Sequence, residues 1–195
     1  MASFRLFGIP VRIDAWFLLG LLFVYSFSGG HRVGLIAAIA IGILTLIHEL
    51  GHALAARRFG CEVSIRLALF VGWASYSAAK PLKRSQQIVI SLAGPLSQIG
   101  VTFGAMAVVH QLFADGTADR VFLGDMWQGL SWAGVVIGLL NLLPLWPLDG
   151  GHVVHHVLRR YLPDAQALKT MLWVTVAGLV AIVVLGAMSN GDGWL

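Results

Sequence analysis

Long apolar runs separated by short polar stretches dominate the chain. Five runs stand out, at residues 15–30, 33–56, 86–113, 126–149 and 170–189. Each of the last four is long enough to cross a hydrocarbon core of about 30 Å as a helix, whereas the first is short for a span. The pattern predicts an all-α polytopic membrane protein with about five to six transmembrane helices.

A different pattern lies between the second and third runs, at residues 61–79. Val63, Ile65 and Leu67 alternate there with Ser64 and Arg66. A two-residue period of this kind is typical of a β-strand. We therefore predict a small β-hairpin or sheet near the cytoplasmic face. The plain interpretation is a structural hairpin, and the functional one is an edge strand that pairs with an extended peptide.

Composition agrees with a membrane location. Of the 195 residues, 58% are hydrophobic and only 11% are charged, against about a quarter charged in soluble domains. The single cysteine, Cys61, excludes an internal disulfide framework. Basic residues do not cluster with aromatic ones, so nucleic acid is not an expected partner. No repeat, linker or low-complexity stretch divides the chain, and we expect one domain over residues 1–195.

The distribution of charge predicts an orientation in the membrane. With the N-terminus in the cytoplasm and alternating spans, the outer segments hold only Arg32 and Arg120. The inner segments hold the other eleven basic residues, as the positive-inside rule requires: Arg5, Arg12, Arg57, Arg58, Arg66, Lys80, Lys83, Arg84, Arg159, Arg160 and Lys169. Asp14 flanks the first run and is expected to be solvated.

The second apolar run contains the sequence HELGH at residues 48–52. Residues four apart lie on one face of a helix, so His48 and His52 can reach the same ion. Glu49 projects beside them and can activate a water molecule without being a ligand, which is the H-E-x-x-H arrangement of zinc peptidases. The alternative is a polar cluster bonded to neighbouring helices, but three such groups within a lipid-spanning helix are costly.

A catalytic zinc ion takes three protein ligands and keeps one open position. Candidates for the third ligand within the apolar runs are His110, Asp149 and His152. Asp149 is favoured, because nearby prolines and glycines should unwind the fourth run, and a broken helix is tolerated where it lines a site. Its depth also matches that of the histidine pair, toward the cytoplasmic side. His155 and His156 are expected to be solvated.

These motifs resemble those of the site-2 protease family, the M50-type intramembrane zinc metalloproteases. The resemblance rests on residues 48–52 (HELGH) and 141–150 (NLLPLWPLDG), with further likeness at 91–98 (SLAGPLSQ) and 8–14 (GIPVRID). It covers nearly the whole chain. One departure is Gln98, where many members of the family carry asparagine. The chain is expected to be a minimal form without the PDZ or CBS domains of many members.

The resemblance implies an activity and a set of roles. His48, His52 and Asp149 are the expected zinc ligands, Glu49 the base, and Asn141 an assisting residue that donates to the oxyanion. The expected function is hydrolysis of transmembrane protein substrates in regulated intramembrane proteolysis. Two alternatives are a metal transporter or metal-binding membrane protein, since ligands in broken helices also suit ion passage, and an inactive protease-like scaffold.

Overall fold

The computed structural model describes residues 2–28, 31–68, 71–116 and 119–189, and within them helices predominate. The elements in chain order are β1 (Ala2–Leu6), β2 (Ile9–Ile13), α1 (Ala15–Phe27), α2 (Arg32–Arg58), β3 (Glu62–Ala68), β4 (Val71–Ser77), α3 (Arg84–Asp115), α4 (Arg120–Leu130), a π-helical segment (Ser131–Val136), α5 (Ile137–Asn141), α6 (Asp149–Leu158) and α7 (Asp164–Ser189). Residues 29 and 30, at the end of the first apolar run, lie outside the described residues.

Three helices in the described part of the chain are long and apolar enough to cross a membrane: Arg32–Arg58, Arg84–Asp115 and Asp164–Gly186. The helix α1 is apolar but has only 13 residues. The mostly helical membrane fold is thus as the sequence predicts, whereas the number of five to six spans is not confirmed.

The fourth apolar run, predicted as a span over residues 126–149 that unwinds near Asp149, is broken before it reaches that residue. The helix ends at Asn141, residues 142–148 are not helical, and Asp149 is the first residue of α6. Two prolines, Pro144 and Pro147, interrupt the segment, since proline cannot donate to a helical ladder. The expected unwinding is present, and it presents Asp149 at the start of a new helix.

A four-stranded sheet packs beside the helices, in the order β1-β2-β3-β4. The predicted hairpin is its β3–β4 half, with antiparallel pairing from Glu62 opposite Ser77 to Ala68 opposite Val71. The strands β1 and β2, which the sequence analysis did not predict, form a second antiparallel hairpin, and β2 pairs with β3 in parallel. β4 therefore forms one edge of the sheet.

The sheet, α1 and α2 share one hydrophobic core. Alternate residues of β2 and β3 point into it, as the two-residue strand period requires. Burying them against the helices provides the main driving force for this packing. The buried members are Ile9, Val11, Phe17, Leu50, Ala53, Ile65 and Leu67.

Asp14 is buried at the start of α1, in contrast to the solvated position expected from the sequence. Only 4% of the residue is exposed. Its Oδ2 accepts from the guanidinium of Arg66 at 2.7 and 2.8 Å, and its backbone N–H donates to the carbonyl of Leu67. The sheet covers this helix start, and Arg66 supplies the charge that makes a buried carboxylate tolerable.

The helix α2 packs closely against α3, and small residues make this possible. A Cβ placed on Gly51 would lie 2.8 Å from the carbonyl carbon of Ala93 and would overlap Ser97. The two backbones can approach only because Gly51 has no side chain. This contact brings the histidines of α2 against the α3 segment at residues 90–98.

Candidate metal centre

His48 and His52 lie one turn apart on α2 and face the same point. Their Nε2 atoms are 3.1 Å from each other, and both residues are buried, with 7% and 8% exposure. The four-residue spacing on a regular helix accounts for this geometry. The pairing expected from the sequence is therefore present.

Asp149 reaches the same point from the start of α6. One carboxylate oxygen lies 3.0 Å from His48 Nε2 and the other lies 3.2 Å from His52 Nε2. Among the described residues, these three form the group of histidine, cysteine or acidic side chains that could hold a metal ion. Of the three candidates for a third ligand, the structure brings Asp149 to the histidine pair.

The other nitrogen of each imidazole is already bonded. His48 Nδ1 lies 2.8 Å from Gln98 Oε1, and His52 Nδ1 lies 2.7 Å from the carbonyl oxygen of Ile90. Both partners are acceptors, so each Nδ1 carries the proton and each Nε2 presents a lone pair. Two lone pairs and the Asp149 carboxylate thus converge in one small space, where a bound cation would offset their mutual repulsion.

The donor set and its spacing fit zinc. Ligand atoms about 2.0–2.1 Å from a tetrahedral zinc ion lie about 3.3 Å apart, close to the 3.0–3.2 Å separations in this group. Two imidazoles and a carboxylate leave a fourth position open, as catalytic zinc sites do. Donation of Nδ1–H to a carbonyl oxygen is also the usual support for a zinc-bound histidine.

Glu49 lies beside the group without belonging to it, under the edge strand β4. The residue is 5% exposed, and its carboxylate interacts with the backbone of Ala74. A Cβ placed on Gly72 would lie 2.5 Å from Glu49 Cγ and 2.8 Å from Oε1. The backbone of β4 therefore fixes the position of this carboxylate.

A cavity of about 400 Å³ opens onto these residues. Its walls come from α2, β4, α3, the helical segment from 131 to 141, and α6. Asn141 lines it, so the structure brings this sequence candidate to the cavity that holds Glu49. Other residues that line it include Trp73, Tyr76, Ala133, His152 and His156.

The remaining histidine candidates lie apart from the three-residue group. His152 lines the cavity, but its ring packs on Trp146 with centroids 4.4 Å apart. His110 lies in a separate pocket beside Phe113 and Trp127. His156 is partly buried instead of solvated, and burial lowers its pKa to about 4.

The sequence analysis missed two partners of the histidines. The carbonyl of Ile90 carries no signal in its side chain, so sequence reasoning has no means to find it. Gln98 did offer a signal, because an amide within an apolar run must find a hydrogen-bond partner. That signal predicts a partner for Gln98 without identifying His48.

Comparison with known protein families identifies the family of this chain. The model of peptidase family M50 matches residues 36–122 and 109–185, which together cover most of the chain. This chain belongs to peptidase family M50. The M50 match includes both metal motifs and most of each of the three long apolar helices, and a multi-pass membrane location agrees with it.

Named relatives of this M50 chain include proteins from bacteria and an archaeon. The sll0528 protein of Synechocystis sp., whose name describes it as a zinc metalloprotease, is 31% identical over 97% of this chain and 49% of its own length. Stage IV sporulation protein FB of Bacillus subtilis is 30% identical over 73% of this chain and 48% of its own length. The chain spans about half the length of the curated relatives it matches.

A solved structure shares the fold of the M50 chain. The site-2 protease from Methanocaldococcus jannaschii aligns with a TM-score of 0.64 over 97% of this chain and 87% of that one, at 21% identity. The overall fold of this chain is therefore one that an experimentally determined structure shares. None of these relationships supports the metal-transporter alternative.

Proposed function

We propose that this M50 protein is an intramembrane zinc metalloprotease that hydrolyses peptide bonds of transmembrane protein substrates. One observation carries the proposal: acceptor atoms of the buried His48 and His52 and of the partly buried Asp149 converge within 3.0–3.2 Å, with the Glu49 carboxylate beside them. A transporter has no need of that non-ligand carboxylate, whereas a hydrolase does.

His48, His52 and Asp149 are the residues that would hold the zinc ion. When bound, zinc supplies Lewis-acid chemistry, since it polarises a carbonyl and makes a water molecule more acidic. Glu49 accepts a proton from the attacking water on its carboxylate and then passes it to the leaving amine. Asn141, on the cavity wall, donates its amide N–H to the oxygen that gains charge.

The edge strand β4 is the proposed docking site for the substrate backbone. β4 ends the sheet, and Gly72, Trp73, Ala74 and Tyr76 line the cavity. A helix hides its peptide bonds, so the scissile segment must be extended before it is attacked. Pairing with a free strand edge holds an extended segment by its main chain, here directly over Glu49.

The proposal includes the number of spans and the side of the membrane on which the site lies. We infer that residues 120–141, helical throughout although π-helical in the middle, form a further span, because 22 residues rise about 33 Å. The N-terminus, the sheet and the site then lie toward the cytoplasm, on the side that carries most of the basic residues. Residues 1–195 form one domain in this proposal. Regulated intramembrane proteolysis, in which a membrane-tethered protein is released, is the proposed setting.

The test is cleavage of a single-span substrate by purified protein reconstituted in lipid. Glu49→Gln should lower turnover by about 10²–10⁴-fold and leave the zinc content equal to that of wild type. Glu62→Gln, at an exposed glutamate of β3, is the matched control and should keep full activity. Turnover by Glu49→Gln at the control rate would disprove the role of Glu49, and zinc-loaded wild type without any cleavage would favour an inactive scaffold.

A further inference from the structure

Gln98 connects the metal centre to the π-helical segment 131–136 through a buried chain of hydrogen bonds. The residue is 2% exposed. Its Oε1 lies 2.8 Å from His48 Nδ1, and its Nε2 donates to the carbonyl of Ala133 at 2.8 Å and to that of Gly134 at 3.3 Å. One amide thus bonds a histidine on α2 and two carbonyls in the π-helical segment.

The chemistry of the partners allows only one orientation of this amide. The carbonyls of Ala133 and Gly134 are acceptors, so the NH₂ group of Gln98 must face them. The amide oxygen then faces His48, and His48 must donate its Nδ1–H. The carbonyls of the π-helical segment therefore determine, through Gln98, that His48 presents the lone pair of Nε2 to the ion.

The two carbonyls that Gln98 bonds belong to the π-helical segment 131–136. A π turn shifts the backbone hydrogen bonds to i→i+5, and such turns occur mostly as local bulges. Close packing holds this one against α3, because a Cβ placed on Gly134 would overlap Thr102. The hydroxyl of Thr102 in turn donates to the backbone carbonyl of Gln98 at 2.7 Å.

We propose that Gln98 is a positioning residue for the metal centre, which fixes the tautomer and ring orientation of His48 and ties both to the π-helical segment 131–136. This inference rests on the proposed zinc ligands. The π turn then has a function, because a shift of that segment would move the Gln98 oxygen that accepts the hydrogen bond of His48. Gln98 itself does not touch the ion or the substrate.

Three variants separate this role from a packing role. Gln98→Met keeps the size of the side chain but removes its acceptor and donors. Gln98→Glu keeps an oxygen opposite His48 Nδ1 and, with its carboxyl group protonated, also keeps one donor for the carbonyl of Ala133. Gln111→Met makes the same substitution at an exposed glutamine of α3, whose Nε2 donates to Asp115 Oδ1 and not to a residue of the metal centre.

Zinc affinity is measured on purified full-length protein by competition with a chromophoric chelator. Gln98→Met should bind zinc about 10–100-fold more weakly than wild type, the usual cost of removing such a partner. Gln98→Glu should restore most of the affinity, and Gln111→Met should match wild type within the error of the measurement. This readout requires no protease activity.

A second readout is ¹⁵N NMR of the histidine side chains in zinc-loaded protein. In Gln98→Met the Nδ1–H signal of His48 should shift or exchange faster, while that of His52, bonded to the carbonyl of Ile90, should stay unchanged. General distortion of the site would move both signals. This comparison remains informative if the methionine variant is less stable.

The outcomes distinguish this proposal from the proposed function. An unchanged zinc affinity and His48 signal in Gln98→Met, or an equal loss in Gln111→Met, would overturn the role of Gln98 alone. Wild type that binds no zinc would overturn the metal centre and the role of Gln98 together. Zinc-loaded wild type that cleaves no substrate would count against the protease function and leave the role of Gln98 standing.

Discussion

Gly94 of α3 lies directly against the imidazole ring of His52. A Cβ placed on Gly94 would lie 2.7 Å from His52 Cδ2 and would overlap Cε1 and Nε2. The ring cannot move aside freely, because its Nδ1 is bonded to the carbonyl of Ile90. The absence of a side chain at residue 94 therefore sets the position from which His52 presents Nε2.

The first prediction follows from this contact. Gly94→Ala should displace the His52 ring and weaken zinc binding at least as strongly as loss of a supporting hydrogen bond, about 10–100-fold. Chelator competition on the purified protein measures the change. Gly104→Ala is the matched control, since it lies on the same helix with open space around its Cβ position. Equal zinc affinity in the two variants would contradict the prediction.

The second prediction concerns the contact between β4 and Glu49. Gly72→Ala places a methyl group 2.5 Å from Glu49 Cγ, so the carboxylate or the strand must move. Because a misplaced base loses much of its effect, turnover should fall at least about tenfold while the zinc content is unchanged. Ser75→Ala, at an exposed position of β4, should keep wild-type turnover. Loss of zinc in Gly72→Ala would show that the strand supports the ligands instead.

The three candidate metal ligands can be predicted from the sequence, because local features of the chain indicate each of them. The four-residue spacing of His48 and His52 places both on one helix face. Asp149 was found because prolines and glycines broke an apolar run at similar depth. Its place as the first residue of α6 was not predicted, since the pattern shows that a helix breaks but not where the next one begins.

The strands β1 and β2 and the partners of Gln98 depend on contacts between distant parts of the chain. The strands β1 and β2 have five residues each, too few for a clear period, and β2 is completed by parallel pairing with β3 about fifty residues later. The partnership of Gln98 with His48 and with the π turn involves three helical segments. An isolated buried amide predicts that partners exist but does not identify them.

The third prediction tests the buried pair of Asp14 and Arg66. The Asp14 side chain is 6% exposed and that of Arg66 is 46% exposed. Arg66→Met would leave a buried carboxylate without its partner. Loss of a fully buried partner costs about 3–5 kcal/mol, and exposure of the arginine reduces this, so we expect a loss of about 1–3 kcal/mol in the free energy of unfolding.

Thermal unfolding in detergent, followed by tryptophan fluorescence, measures the effect of Arg66→Met. Arg12→Met is the matched control, because Arg12 is exposed and lies opposite Arg66 in the β2–β3 register. The double variant Asp14→Asn with Arg66→Met should recover part of the lost stability, since no buried charge remains. A melting temperature for Arg66→Met equal to that of Arg12→Met would argue against the ion pair as a stabilising contact.

The fourth prediction concerns Thr175, which connects α7 to the segment that leads to Asp149. The backbone N–H of Trp146 donates to Thr175 Oγ1 at 2.8 Å, and the hydroxyl donates to the carbonyl of Met171. Thr175→Val keeps the shape of the side chain but leaves the Trp146 N–H without its acceptor, at a cost of about 1–3 kcal/mol. The segment 142–148 should then detach more readily from α7.

Hydrogen exchange followed by mass spectrometry measures this detachment. In Thr175→Val, the peptide that contains Trp146 should exchange faster, because its amide loses the partner that protects it, while peptides of α2 should be unchanged. Thr175→Ser restores a hydroxyl at the same place and should restore protection. If the valine and serine variants exchange at the same rate, the hydroxyl of Thr175 does not hold the segment, and packing of Leu145 against Gly178 must account for its attachment to α7.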